Sequence, residues 1–306
     1  MNYFIYILLN ILLPIFIQIF LGYIIKKVTN FNNKPLAVIQ LYIIIPALLF
    51  VSMYNAKIDR SIAIKISLHS IMIFILLYIL SVIISKIFKY NKTTSSSFSN
   101  SICLYNSGNF CLPLVQILYN NPIAVSVQIV IMTVQSIVTN TVGIYSVSAG
   151  KKNVKQGIVE IMKVPMIYCI VLALLLRGME INVAKPILNA LNSLGSAMVP
   201  VALISLGAQL AETKYSFKMP KVYFSNFIRL VISPILAYGL VLLLGLKGMA
   251  AEIAVISSSA PTAVNAVLLA IQYDSDPEFA SQAVFFSTII SSISVTFVIF
   301  LVVGRL

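Results

Sequence analysis

NSGNFCLP, residues 106–113, is a polar phrase that contains glycine and ends in proline, set between apolar runs that would otherwise join into one membrane-spanning helix. Pro113 has no N–H and clashes with the turn before it, and Gly108 loosens the backbone beside it, so the phrase predicts a helix that stops and restarts. In hydrocarbon an unsatisfied backbone group is costly, and a break is tolerated only where protein buries it or a watery cavity meets it. Asn106, Ser107 and Asn109 supply the polar partners that such a place needs.

The rest of the chain makes hydrocarbon the expected solvent. Of its 306 residues, 60% are hydrophobic and 9% charged, the composition of an all-α integral membrane protein. Ten apolar stretches approach the length of about 20 residues that a helix needs to cross a bilayer core. They lie near 3–25, 36–54, 62–85, 97–119, 122–149, 157–176, 187–210, 222–246, 249–272 and 278–303. The first reads as a retained span rather than a signal peptide, because no basic segment precedes it and Lys26 and Lys27 follow it. Cys103, Cys111 and Cys169 fall inside spans, and an odd number of buried thiols points away from a disulfide framework.

The net charge of +13 would suggest nucleic acid in a soluble protein; here the basic residues sit in short loops and report topology instead. The loops after spans 1, 3, 5 and 7 carry Lys26, Lys27, Lys34, Lys86, Lys89, Lys92, Lys151, Lys152, Lys155, Lys214, Lys218 and Lys221. The opposite side carries Lys57, Arg60, Lys65, Arg177, Lys185, Lys247 and Arg305. Twelve against seven places the first side in the cytoplasm and both termini outside a multi-pass protein of the cell membrane. Lys163 and Arg229 are expected to snorkel from the first turns of their spans.

The punctuation repeats at an offset of about 150 residues. Pro14 pairs with Pro165, Pro46 with Pro200, and Pro113 with Pro261, while LYNNPIAVSVQ (118–128) aligns with QYDSDPEFASQ (272–282). Two five-span halves, 1–150 and 151–306, follow, with no soluble domain. An odd number of spans per half makes the second enter from the other side, the inverted repeat that recurs in secondary transporters.

Span 9 answers the opening phrase with SSSAPTAVNAV (257–267), placing Ser259, Pro261, Thr262 and Asn265 in mid-span. Two broken spans in matching positions are a pointer to a substrate site. Half-helices restarting near Pro113 and Pro261 would offer free N–H groups and a positive dipole end to an anion. The released carbonyls, with Asn109 and Asn265, can hold a second polar part or a cation. Proline also kinks transmembrane helices that bind nothing, and Asn or Ser also join helix to helix; the matching of the two phrases favours the site.

At these residues the chain resembles the auxin efflux carrier family, through N-x-G-N-x-x-x-P at Asn106, Gly108, Asn109 and Pro113, S-x-P-x-x-x-N at Ser259, Pro261 and Asn265, and the YDSDPEFAS approach to the last span. The resemblance covers essentially the whole chain. It implies two inverted five-helix repeats, broken helices crossing in spans 4 and 9, and elevator-like movement against a scaffold of spans 1, 2, 6 and 7. Cys111 stands where many relatives have glycine, and the long loop that many plant members carry between spans 5 and 6 is missing. Members carry chemically different anions, so the substrate stays open.

His69 and Glu252 are the candidates for coupling to a proton or sodium. A lone histidine such as His69 is more often an interfacial or packed residue, and Glu252 more often an interfacial carboxylate, here near Lys247. Gln128, Gln135 and Thr139 share a face of span 5, as Ser287, Ser291 and Ser294 do in span 10, fitting either a polar pathway or helix-to-helix bonding. The small residues of span 7, among them Gly195, Ser205 and Gly207, suit a homodimer contact or packing within one chain. No H-E-x-x-H, G-x-S-x-G or phosphate-binding glycine-lysine phrase is present, and neither cofactor nor metal is expected. The reading is a carrier for a small organic anion such as a carboxylate and not an enzyme; its rivals are a passive anion channel, a membrane-embedded enzyme and a sensor.

Overall fold

The computed structural model describes residues 3–55, 58–143, 165–213, 216, 218–273 and 275–306. Among them the regular secondary structure is helical, apart from one antiparallel bridge between Tyr105 and Thr262. Six helices are long and apolar enough to cross a membrane: α1 (Tyr3–Thr29), α2 (Lys34–Asn55), α3 (Arg60–Ile87), α8 (Lys185–Glu212), α9 (Pro220–Leu243) and α12 (Pro277–Val302). Within the described residues the other stretches read as spans give α4 (Lys92–Cys103), α5 (Cys111–Tyr119), α6 (Pro122–Val138, continued by a π turn at Thr139–Gly143), α7 (Pro165–Gly178), α10 (Gly248–Ser258) and α11 (Asn265–Gln272). The fourth stretch is thus α4 and α5, and the ninth is α10 and α11. Lys57, Lys151, Lys152, Lys155 and Lys214, which entered the charge comparison, and Lys163, expected to snorkel, lie outside the described residues.

Prolines shape the long helices without ending them. A single π-helical turn at Leu8–Leu12, Gln40–Ile44 and Ile228–Ile232 ends two residues before Pro14, Pro46 and Pro234 respectively. The wider turn makes room for the proline ring, which would otherwise strike the carbonyl of the preceding turn. In α8 the helix slackens at Ala197, three residues before Pro200.

The two aligned phrases open helices in the same way. Asn121 precedes Pro122 and its side chain accepts from the Ile123 amide at 2.8 Å, opening α6. Asp276 precedes Pro277 and accepts from the Phe279 amide at 3.1 Å, opening α12. Both place a side-chain oxygen over orphan amides and a proline where no N–H is needed. Asp276 also accepts from Thr94 Oγ1 at 2.9 Å, tying the start of α12 to the start of α4.

Lipid gives apolar helices little reason to associate, so close backbone packing has to hold them. Gly22 of α1 and Gly207 of α8 provide it: a Cβ on Gly22 would overlap the Ile204 carbonyl, and one on Gly207 the Ile19 carbonyl. Gly195 of α8 lies against Leu48 of α2 in the same manner, with its Cβ position 3.2 Å from the Leu48 Cα. Ser205 of α8 meets the Asn33 side chain. The small-residue face of α8 is therefore used within the chain. Packing joins α1 to α8 and α2 to α7 and α8, and α3, α4, α6, α9, α10 and α12 pack on one another, with α1 also meeting α12 and α2 meeting α6. Ile71, Ile75, Ile79 and Ile83 of α3 stay exposed at every fourth position, a stripe fit for lipid.

Candidate functional site

The two interruptions meet. Between α4 and α5 the chain leaves the helix over 104–110, and between α10 and α11 over 259–264. The Asn106 amide donates to the Pro261 carbonyl at 2.9 Å and the Ala263 amide to the Leu104 carbonyl at 2.8 Å, closing the short antiparallel bridge between Tyr105 and Thr262. Each break thus satisfies backbone groups that the other leaves open, which removes much of the penalty for unwinding in an apolar medium.

Side chains complete that satisfaction. Thr262 Oγ1 donates to the Ser101 carbonyl at 2.8 Å, and its amide donates to Ser287 Oγ at 3.1 Å. Asn106 Oδ1 accepts from the Asn109 amide at 3.0 Å. Gln128 of α6 joins the first break to the last turn of α10 before the second, donating to the Ser107 carbonyl at 2.9 Å and accepting from Ser257 Oγ. Gln135 donates to the Cys103 carbonyl at 3.2 Å. Gln128 and Gln135 of the span 5 stripe therefore serve the interruptions and the helix ends beside them. Ser287 does so from α12, whereas Ser291 bonds to the Thr288 carbonyl of its own helix.

Asn106, Ser107, Pro113, Ser259, Pro261 and Thr262 are buried, Gly108 and Asn109 half-buried, and Asn265 exposed at the first position of α11. The helices restart elsewhere than expected. Cys111, not Pro113, opens α5, so Pro113 sits in the first turn, where a missing N–H costs nothing. Pro261 lies within the second break, and α11 opens four residues later at Asn265.

Several of the amides expected to be free are occupied: Cys111 donates to the Asn106 carbonyl and Leu112 to the Gly108 carbonyl. Among the described residues the amides of Val264 and Asn265, at the start of α11, have no protein acceptor. Val264 lines a cavity of about 660 Å3 bounded by the end of α8, by α11 and by the first turns of α12. Gln209, Glu212, Val264, Val267, Glu278 and Ser281 line it. Glu212 of this lining is paired with Lys26 at 2.7 Å.

Two groups that the sequence did not place at the site are there. Gln40, buried in the π turn of α2, donates to Asn109 Oδ1 at 2.7 Å and so links the α2 side of the molecule to the first break. A lone amide in an apolar run was the available signal. Arg229 is the other, and its expected snorkelling is overturned: it is 0% exposed. Its Nη1 donates to the Ile102 carbonyl at 2.7 Å, its Nη2 to the Ser258 carbonyl and Ser233 Oγ, and its guanidinium carbon lies 5.0 Å from the Tyr105 ring centre.

Glu252 is not an interfacial partner of Lys247. It is buried, and its two oxygens accept from Tyr119 Oη and the Gly304 amide, each at 2.7 Å. His69 is also buried, with Nε2 3.1 Å from the Ala237 carbonyl of α9, the environment of a packed residue. Cys103 and Cys111 are buried and Cys169 half-buried, all three as free thiols.

Residues 7–299 match the family described as "Membrane transport protein". An "Uncharacterized transporter" of Methanothermobacter thermautotrophicus is 34% identical over 119 residues, 39% of this chain and 38% of that protein. An "Uncharacterized transporter" of Methanocaldococcus jannaschii is 28% identical over 145 residues, 46% of this chain and 47% of that protein. The chain spans less than half the length of the curated relatives it matches.

Proposed function

Because the chain belongs to the membrane transport protein family, the auxin efflux carrier family to which its motifs pointed, we propose that it is a secondary carrier for a small organic anion such as a carboxylate. One observation carries the reading. The amides of Val264 and Asn265 at the start of α11 are unpaired, and Val264 lines a cavity next to the place where two broken helices are bonded backbone to backbone. The positive end of a helix dipole and two free donors suit a carboxylate. Asn106, Ser107, Gly108, Asn109, Pro113, Ser259, Pro261 and Thr262 form the frame that holds those donors in place.

An elevator-like cycle and two inverted repeats, 1–150 and 151–306, belong to the same proposal. In their support, the seam of α1 with α8 has its counterpart in that of α2 with α7, the pairing expected when first and sixth, second and seventh spans exchange roles. The Asn-Pro and Asp-Pro openings of α6 and α12 match as well. The four helices α1, α2, α7 and α8 would form the scaffold. With ten spans and cytoplasmic lysines, both termini of this multi-pass protein lie outside the cell membrane.

The test is uptake by the purified protein in proteoliposomes, with substrates chosen by thermal-shift screening of mono- and dicarboxylates. Asn109→Ala and Asn265→Ala should lower uptake or binding and leave the melting profile cooperative. Normal transport by both variants contradicts the site. Saturation and counterflow separate a carrier from a passive anion channel, and binding without movement identifies a sensor.

A further inference from the structure

The crossing brings together two helix ends that would repel each other. The helix α4 ends at Cys103 and α10 at Ser258, and the carbonyls of Ile102 and Ser258 belong to their last turns. The last four carbonyls of a helix lack intrahelical donors, and each C-terminus carries roughly half a negative charge. Two such ends sum to about one negative charge, in a place that lipid and packed side chains shield from water.

Arg229 supplies the opposite charge. One nitrogen of its guanidinium donates to the Ile102 carbonyl at 2.7 Å and another to the Ser258 carbonyl, so a single planar cation spans both ends. Ser233 Oγ also donates to the Ser258 carbonyl, at 2.7 Å, and the Tyr105 ring presents its face to the guanidinium. No partner of Arg229 among the described residues is a carboxylate: they are two carbonyls, one hydroxyl and one ring. A buried cation without an acid has only helix dipoles and a ring to balance it, and here two dipoles converge on it. The π turn Ile228–Ile232 carries Arg229 and leads directly into Ser233, so the distortion ahead of Pro234 also presents both groups to the crossing.

We propose that Arg229 is a built-in counter-cation, a tethered group standing between the two helix C-termini where a free monovalent cation would otherwise sit. The crossing then assembles on the chain's own charge, and neither sodium nor potassium acts through this position. The proposal stands on the crossing geometry and is independent of which anion the protein carries.

Thermal melting of the full-length protein in lipid nanodiscs tests it, in sodium, potassium or choline chloride at equal ionic strength. The wild type should melt alike in all three, and Arg229→Lys should retain part of its stability. Arg229→Ser should melt lower in choline and recover, saturably, on addition of millimolar guanidinium or a small alkali cation, with equimolar urea as the inactive control. Rescue by cation is a result that mere loss of packing cannot give. Specific stabilisation of the wild type by sodium or potassium overturns the proposal, as does an Arg229→Ser variant that melts like the wild type or is rescued by no cation. If Arg229→Ser cannot be recovered folded, the wild-type salt series and Arg229→Lys decide: salt indifference with partial retention supports the proposal, and either result reversed overturns it.

Discussion

Replacing Gln128 with leucine should uncouple the two interruptions. Gln128 is 0% exposed and bonds the Ser107 carbonyl at 2.9 Å on one side and Ser257 Oγ on the other. Leucine keeps the apolar stem and offers no polar atom. The Ser257 hydroxyl can turn to its own helix, as Ser258 does toward the Ala254 carbonyl at 2.9 Å, so most of the loss falls on the stranded Ser107 carbonyl. A buried group left without its partner costs about 1–3 kcal/mol, and with a smaller share from Ser257 the variant should lose about 2–3 kcal/mol. A double-mutant cycle with Ser257→Ala isolates the second bond. Hydrogen bonds between membrane helices couple by about 0.6 kcal/mol on average and up to about 1.7, and this short, fully buried one should show about 1 kcal/mol. Reversible unfolding in mixed detergent micelles, followed by circular dichroism, measures all four corners. A coupling no larger than about 0.3 kcal/mol, the scatter of sites that do not interact, refutes the bridging role.

Gly207→Val should destabilise by about 1–3 kcal/mol or more, because its Cβ meets the Ile19 carbonyl, which belongs to the backbone and cannot swing aside. Gly239→Ala, exposed on α9 with nothing near its Cβ position, should be neutral or gain up to about 1 kcal/mol in the same unfolding assay. Asp276→Ala removes the α12 cap and the Thr94 bond together, and should cost about 1–2 kcal/mol, more than Asn121→Ala, which removes a cap alone. Gln40→Ala should lower anion uptake in the way Asn109→Ala does, and the double variant should be no worse than either single one; additive losses would separate the two residues.

The interruptions were legible because proline, glycine and asparagine are exceptional inside an apolar run, and the hydrocarbon setting turned the exception into a constraint. Their meeting was not legible from local pattern: Asn106 finds the Pro261 carbonyl across a long sequence separation, and the family resemblance alone implied the crossing. Restart positions went astray by two residues at Pro113 and four at Pro261. A proline can sit in the first turn of a helix or in the loop before it, and sequence does not choose between them. Arg229 was misplaced by a sound general rule, that charge near a span end reaches for water. The rule assumes that no acceptor lies inward, and the acceptors here are carbonyls of two other helices, invisible in any local window. Glu252 escaped for the same reason, since its partners Tyr119 and Gly304 come from distant segments. The repeated punctuation was readable as N–P and D–P, and both phrases became helix openings.

The contact of Gly22 with Ile204 and of Gly207 with Ile19 has a mechanical consequence. A joint between side chains can slide by trading one rotamer for another, keeping contact throughout. Main chain resting on main chain has no such gearing, so α1 and α8 must travel as one beam or part entirely. Whatever displacement a transport cycle requires therefore falls on the boundaries where long side chains mesh, such as the one that Gln40 spans to reach Asn109.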